Sequence, residues 1–369
     1  MNDDAQARTN LADPAEHADP AEHTEERRSV ARHLSRQQLF VLFTSVWVVV
    51  AITYLAFAIL RSSTKPVVAQ GQPVELNAPG QNALTDMMAQ PFVVVRNERT
   101  TPTADFGKVA LAAVHAPNDA RVLTDLHCNR VYFAAGHGLC LIGGIDNVTS
   151  YKAVTFGKDF TPQHSFALAG VPSRARISPD GKYGAMTVFV AGDSYSDGSF
   201  STRTTIVNLE TGQELGDLEQ FDVWRDNVRF KRVDFNFWGV TFARDSNRFY
   251  ATFLSGYSTY LVEGNVAERT LRVLYTNVEC PSLSPDNTRI VYKKRTGSLG
   301  TWRLYVLELQ TMKEHPLQAE SHTIDDQVEW LDDEHVLYVN GGDLWQADVD
   351  GSSPAQLYMS KASSPAVNR

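Results

Sequence analysis

Two patterns of apolar spacing divide this chain. Every residue from Leu39 to Leu60 is uncharged (LFVLFTSVWVVVAITYLAFAIL). As a helix rising ~1.5 Å per residue, this run covers about 33 Å, enough to cross the hydrocarbon core of a bilayer. From Pro91 onward the pattern changes to apolar runs of strand length separated by turn signals, with no amphipathic helix of useful length. Phe92-Val93-Val94-Val95, Val109-Ala110-Leu111-Ala112-Ala113-Val114 and Val131-Tyr132-Phe133-Ala134-Ala135 are examples.

The strand region is repetitive. Ser178-Pro179-Asp180-Gly181-Lys182 is a turn in which Pro presets φ, Asp bonds the backbone ahead of it and Gly accepts φ > 0. Comparable stretches lead into strands at Ser284-Pro285-Asp286-Asn287-Thr288, Ala243-Arg244-Asp245-Ser246-Asn247 and Leu331-Asp332-Asp333-Glu334-His335. A second signature follows each: a strand, a polar turn such as Glu210-Thr211-Gly212 or Asp350-Gly351, and another strand. With markers at His127, Asp180, Asp245, Asp286 and Asp333, the spacing is about 40–65 residues, and its lower end fits a four-stranded propeller blade. Longer intervals imply insertions, Ala191–Phe200 among them. A further unit at 91–120 brings the expectation to an all-β propeller of about six four-stranded blades, preceded by one transmembrane helix; five or seven blades remain open. Stacked blades bury each other's faces and leave only short edges. Ring closure then requires a C-terminal segment, Ser364-Pro365-Ala366-Val367, to pair with the first blade.

The expected organisation is a disordered cytoplasmic tail (1–38), a transmembrane helix (39–60), a linker (61–90) and the propeller (91–369). The tail repeats Ala-Asp-Pro-Ala-Glu-His at 12–17 and 18–23 without large apolar residues. Its His17 and His23 read as solvated. Arg27, Arg28, Arg32 and Arg36 precede the apolar run, whereas Arg61 and Lys65 follow it. The positive-inside rule therefore puts the N-terminus in the cytoplasm and the propeller outside, on an uncleaved single-pass anchor in the cell membrane.

Composition narrows the classes. The apolar fraction of 43% supports a core. A net charge of −9, with no Lys/Arg cluster noted beyond the membrane flank, argues against nucleic acid. Three cysteines are too few for a disulfide framework. A turn at Gly136-His137-Gly138 sets Cys140 opposite Ala134 and leaves Cys128 about six residues, ~20 Å, out of register. Free, small core thiols are therefore expected in preference to a Cys128–Cys140 bond.

The turns Ser178-Pro179-Asp180-Gly181-Lys182 and Ser284-Pro285-Asp286, with the strands that follow them, resemble the blades of TolB-like β-propellers over roughly residues 91–369. They are also similar to the non-catalytic propellers attached to prolyl-oligopeptidase-type hydrolases. The likeness implies an envelope protein that uses its propeller as a binding platform. Residues 61–90 are too short for the separate α/β domain of TolB.

Catalytic chemistry is not legible. The string nearest to a nucleophile elbow, Gly192-Asp193-Ser194-Tyr195-Ser196, ends in Ser rather than Gly. Sialidase-type Asp boxes fail at Lys182. Asp193–Gly198 partly matches a calcium loop but has Tyr195 at position 3 and Thr204 at position 12. His127 and His137 lack a spaced ligand set. No cofactor and no metal are expected. Seven positions before the turn markers lie Ser173, Trp238, Glu279 and Asp326, which superposed blades bring to one channel mouth. Phe237 and Trp238 are candidates for an aromatic partner anchor, against the alternative that they pack between blades. Glu279 and Asp326 make that mouth acidic. The expected function is non-enzymatic binding of an envelope protein or peptide. Rival readings are a ligand-sensing ectodomain and a hydrolase of envelope sugars or peptides.

Overall fold

A computed structural model describes residues 35–62, 81–143, 151–190, 201–297 and 300–369. The chain forms two units, Met1–Gln70 and Gly71–Arg369. The first contains helix α1 (Arg36–Ser62). Among the described residues, no helix is long and apolar enough to cross a membrane. Side chains of Leu39, Phe40, Leu42, Val46, Leu55, Phe57, Ala58, Ile59 and Leu60, which belong to the expected span, lie outside the described set. So do residues 1–34, residues 63–80 and the calcium-like stretch Asp193–Gly198.

The second unit begins with α2 (Gln81–Met88), inside the stretch read above as linker. Its Leu84, Met87 and Met88 recur at helical spacing and pack against the cluster containing Phe92 and Phe133. Six sheets follow. Blade I takes β1 (Phe92–Asn97), β2 (Lys108–Ala113) and β3 (Val122–His127). Blade II is β4 (Arg130–Ala134), β5 (His137–Ile142), β6 (Tyr151–Phe156) and β7 (Pro162–Leu168). Blade III is β8 (Val171–Ile177), β9 (Tyr183–Val190), β10 (Ser201–Asn208) and β11 (Glu214–Asp217). A hairpin of β12 (Asp222–Arg225) and β13 (Val228–Phe230) comes next. Blade IV is β14 (Asn236–Phe242), β15 (Arg248–Ser255), β16 (Ser258–Asn265) and β17 (Thr270–Thr276). That hairpin joins its outer edge, β12 running parallel to β17. Blade V is β18 (Glu279–Leu283), β19 (Arg289–Arg295), β20 (Trp302–Glu308) and β21 (Lys313–Pro316). Blade VI is β22 (Glu329–Trp330), β23 (His335–Asn340), β24 (Asp343–Asp348) and β25 (Gln356–Met359).

The ring closes as the repeats require. Strand β26 (Ala362–Asn368) supplies the inner strand of blade I, with Val367 opposite Val93 and Ala366 opposite Val94. Buried Arg121 clamps the approach to it, donating to Asn97 Oδ1 at 2.9 Å and to the Lys361 carbonyl at 2.8 Å. The inner strands β26, β4, β8, β14, β18 and β22 pack on one another in that order around the axis. Between blades, strand alternation sends apolar residues to both faces. Phe237, Phe249 and Phe253 of blade IV meet Ile206 of blade III and Leu218, in the 3-10 turn that follows β11, all almost wholly buried. Each such side chain stabilises by ~1.5–3 kcal/mol.

The repeated turns form as their sequences dictate. Ser178 Oγ lies 2.6 Å from Asp180 Oδ1, which also accepts the Lys182 N–H at 2.9 Å. Gly181 has φ +77°, as the turn demands. In blade VI the residue in this role is Asp332, which accepts the Glu334 and His335 N–H groups at 2.9 and 2.8 Å. The marker Asp333 is therefore one residue late. Asp333 instead reaches back to blade V and accepts the Asp286 N–H at 3.0 Å. Ser246 Oγ accepts the Asp180 N–H at 3.3 Å in the same way. The turns thus clasp neighbouring blades.

Contrary to the sequence expectation, Cys128 and Cys140 form a disulfide with a Cα–Cα distance of 5.4 Å. The hairpin turn is Ala135-Gly136, both at positive φ, not Gly136-His137-Gly138. That shift places Cys140 opposite Val131. Cys128 then lies three residues away, where the chain turns from blade I into blade II.

Candidate functional site

Inner strands bulge at one level of the channel. The register with the next strand shifts at Ser173 in β8, at Gly239-Val240 in β14, at Cys280-Pro281 in β18 and at Ser364-Pro365 in β26. Gly239, Cys280 and Ser364 all have positive φ. A Cβ on Gly239 would come within 2.7 Å of the Cys280 Cα, so glycine is required there. Bulges re-aim side chains, and here they frame a charged collar.

The collar is internally paired. Asp326, in the segment leading to β22, lies 3.2 Å from Arg130 of β4 and 3.3 Å from Arg174 of β8. Burial pushes the Asp326 carboxyl up, but Arg174 and Arg130 outweigh it and hold it at about 2. Lys293 hydrogen-bonds Asp325 and sits 3.9 Å from Glu279, which Arg295 also meets at 3.0 Å. The free, buried Cys280 lies beside both Arg174 and Lys293.

A second layer crosses the channel nearer the turns. Arg176 of β8 reaches Glu329 of β22 at 2.8 Å and donates to the Val328 carbonyl at 2.6 Å. Its guanidinium stacks 4.7 Å from the centroid of Tyr132, whose hydroxyl donates to Glu329 at 3.1 Å. Burial and then Glu329 raise the Tyr132 phenol, so it stays a donor. Gln327 Nε2 donates to the carbonyls of Val240 and Pro281 at 3.1 and 2.6 Å. In a ring of six, blades III and VI are opposite, so the segment before β22 stitches the channel across its diameter.

Beyond this layer the channel opens at the turn side as a recess of about 360 Å³. All six inner strands or their following turns line it, through Tyr132, Arg176, Arg244, Asn287, Trp330 and Arg369 among others. Larger clefts lie against α2 and beside β17, but each touches only one or two blades. The turn-side recess is therefore the candidate site.

The residues singled out from sequence fall differently. Ser173, Trp238 and Glu279 do stand at the bulged level of successive inner strands, each buried. Phe237 is 1% exposed and stacks on Phe253 at 4.9 Å, and Trp238 is 6% exposed. They are packed core, not a surface anchor. Glu279 and Asp326 do not make an open acidic mouth, because Arg295, Lys293, Arg130 and Arg174 neutralise them. His127 and His137 lie on different blades. Asp332, Glu334 and His335 bring ligand-type atoms within 4.8 Å. Asp332 is already committed to the hairpin and to His335 Nδ1. Arg174, Arg176 and Glu329 were missed. For the two arginines the signal was present, since Arg-Ala-Arg before Ser178 puts two cations on one strand face.

Comparison with solved structures agrees with this architecture. The structure of TolB from Acinetobacter baumannii superposes with a TM-score of 0.51 at 16% identity, covering 76% of this chain and 67% of TolB. The chain has the fold of a TolB-like six-bladed propeller. At that identity the likeness speaks for the fold alone. A nidogen/laminin complex aligns with a TM-score of 0.49 at 9% identity, over 75% of this chain and 98% of that one. No protein-family model and no curated protein matches the chain.

Proposed function

We propose that this chain is a membrane-tethered, extracytoplasmic propeller that holds a protein or peptide partner at the cell envelope through the turn-side mouth of its channel. The observation that carries this reading is the recess of about 360 Å³ lined by all six blades and floored by the Arg176–Glu329 pair. A ligand segment enters it end-on and stops. Pockets of this size and mixed lining suit a few residues of a partner.

Two features support the location. A disulfide persists in oxidising compartments, and Cys128–Cys140 is one. The uncharged run Leu39–Leu60, preceded by four arginines, supports a membrane anchor with its N-terminus inside. The test is membrane-impermeant labelling of intact cells carrying a tag inserted between Gly341 and Gly342, a hairpin tip with nothing within 4 Å of either glycine, combined with crosslinking. Labelling outside and capture of discrete envelope proteins agree with the proposal. Labelling only after the cells are opened overturns its topology.

A further inference from the structure

The charges around the turn-side recess do not balance. Arg176 is matched by Glu329. Arg244 and Arg369 also line the recess. Arg244 Nη2 donates to the Pro285 carbonyl at 2.6 Å. Arg369 donates from Nε to the Leu331 carbonyl at 3.1 Å, and from Nη2 to the Trp330 carbonyl. Carbonyl oxygens orient a guanidinium without cancelling its charge. Among the described residues, no carboxylate forms an ion pair with either arginine. Each keeps further N–H donors for an incoming group. With the α-carboxylate of Arg369 counted beside its own guanidinium, the recess sets Arg176, Arg244 and Arg369 against Glu329 and that carboxylate, and the remaining positive charge makes a local anion site in a chain whose net charge is −9.

Resting on the platform reading, we propose that this recess receives the side-chain or terminal carboxylate of an acidic peptide segment, with Arg244 and Arg369 as its ligands. A planar guanidinium matches a carboxylate through paired N–H···O bonds. The surrounding Pro179, Phe242, Leu283 and Trp330 supply apolar wall for the flanking residues of an extended chain. The neutralised Arg176–Glu329 floor leaves the two outer arginines to set the selectivity. The sign is opposite to the acidic mouth that the sequence suggested.

Fluorescence anisotropy on the full chain in detergent tests this with three labelled peptides of equal length: Asp/Glu-rich, its Asn/Gln isostere and a Lys-rich analogue. The acidic peptide is expected to bind at least ~10-fold tighter than the isostere. Its affinity falls with added salt and drops by at least ~10-fold in Arg244→Ala/Arg369→Ala. Arg244→Lys, which keeps charge without the fork, retains part of the affinity. Both side chains are surface-exposed, and unchanged melting of the double variant verifies its fold. Equal binding of acidic and amide peptides overturns the proposal, as does binding indifferent to the double variant. Displacement by inorganic phosphate at an ionic strength where chloride has no effect overturns the carboxylate assignment. A partner crosslinked at the recess through a segment lacking Asp and Glu overturns this inference and leaves the platform intact. Absence of any crosslinked partner counts against the platform itself.

Discussion

Arg176 and Glu329 stand on opposite blades, and their 2.8 Å ion pair bridges the channel across its diameter. Both side chains are less than 10% exposed. Such a pair contributes little relative to apolar substitutes of the same volume, but breaking it leaves an uncompensated charge. Glu329→Gln is therefore expected to cost about 3 kcal/mol, a fall in Tm on the order of 5–10 °C. Arg176→Met/Glu329→Leu should recover part of that loss, the remainder reflecting the Tyr132 hydroxyl left without its acceptor. Thermal unfolding of the single and double variants checks it, and additive losses would mean that the two residues do not act as a pair.

Acid stability should report Asp326. Its folded value of about 2 lies below the ordinary carboxylate value of 3.8. The group therefore contributes stability that is complete above pH ~4 and lost as pH falls through about 2. Denaturant unfolding between those limits should show a steeper decline for the native chain than for Asp326→Asn. Parallel curves would contradict the pairing with Arg174 and Arg130.

Reduction of Cys128–Cys140 should lower stability by about 2–3 kcal/mol, given the sequence separation of 12 residues. Non-reducing peptide mapping should recover the linked pair. Cys280, 2% exposed, should react with alkylating reagents only after unfolding.

Gly239→Ala should be severely destabilising, because its Cβ meets the Cys280 backbone at 2.7 Å and its φ is +65°. Only backbone movement relieves that contact. Circular dichroism melting of this variant beside Gly256→Ala, where nothing lies within 4 Å, separates the clash from the loss of a glycine. Equal losses would assign the cost to φ alone.

Deleting 362–368 should abolish cooperative unfolding, since β26 is the inner strand of blade I. An unchanged melt would contradict closure of the ring.

Much of this architecture is legible in local sequence. Ser178-Pro179-Asp180-Gly181 encodes its own turn through short-range bonds, so blade spacing and closure by Ala366-Val367 follow from pattern alone. The disulfide did not follow, because it depends on whether Ala135-Gly136 or the next triplet turns, a choice that moves Cys140 by three positions. The channel chemistry was least accessible. Asp326 reads as a free acid in sequence, and only the ring order reveals Arg130 and Arg174 across from it. Phe237 and Trp238 read equally well as anchor or core until the blade packing is known. The interval before Asp245 concealed a strand hairpin as well as a loop, and its Arg225, Arg229, Lys231 and Arg232 were passed over as a cluster. Three of these pair locally with Asp226, Asp222 and Asp234.

The most direct test of the account places a photocrosslinking residue at Pro179, exposed on the wall of the recess, in the full chain in intact cells. A second copy of the experiment uses Lys313, exposed on the outer strand of blade V. The account predicts a discrete envelope adduct at Pro179 that is absent at Lys313 and is reduced by Arg244→Ala/Arg369→Ala. Identical adduct patterns at the two positions, or none at Pro179, would contradict the recess as the binding site.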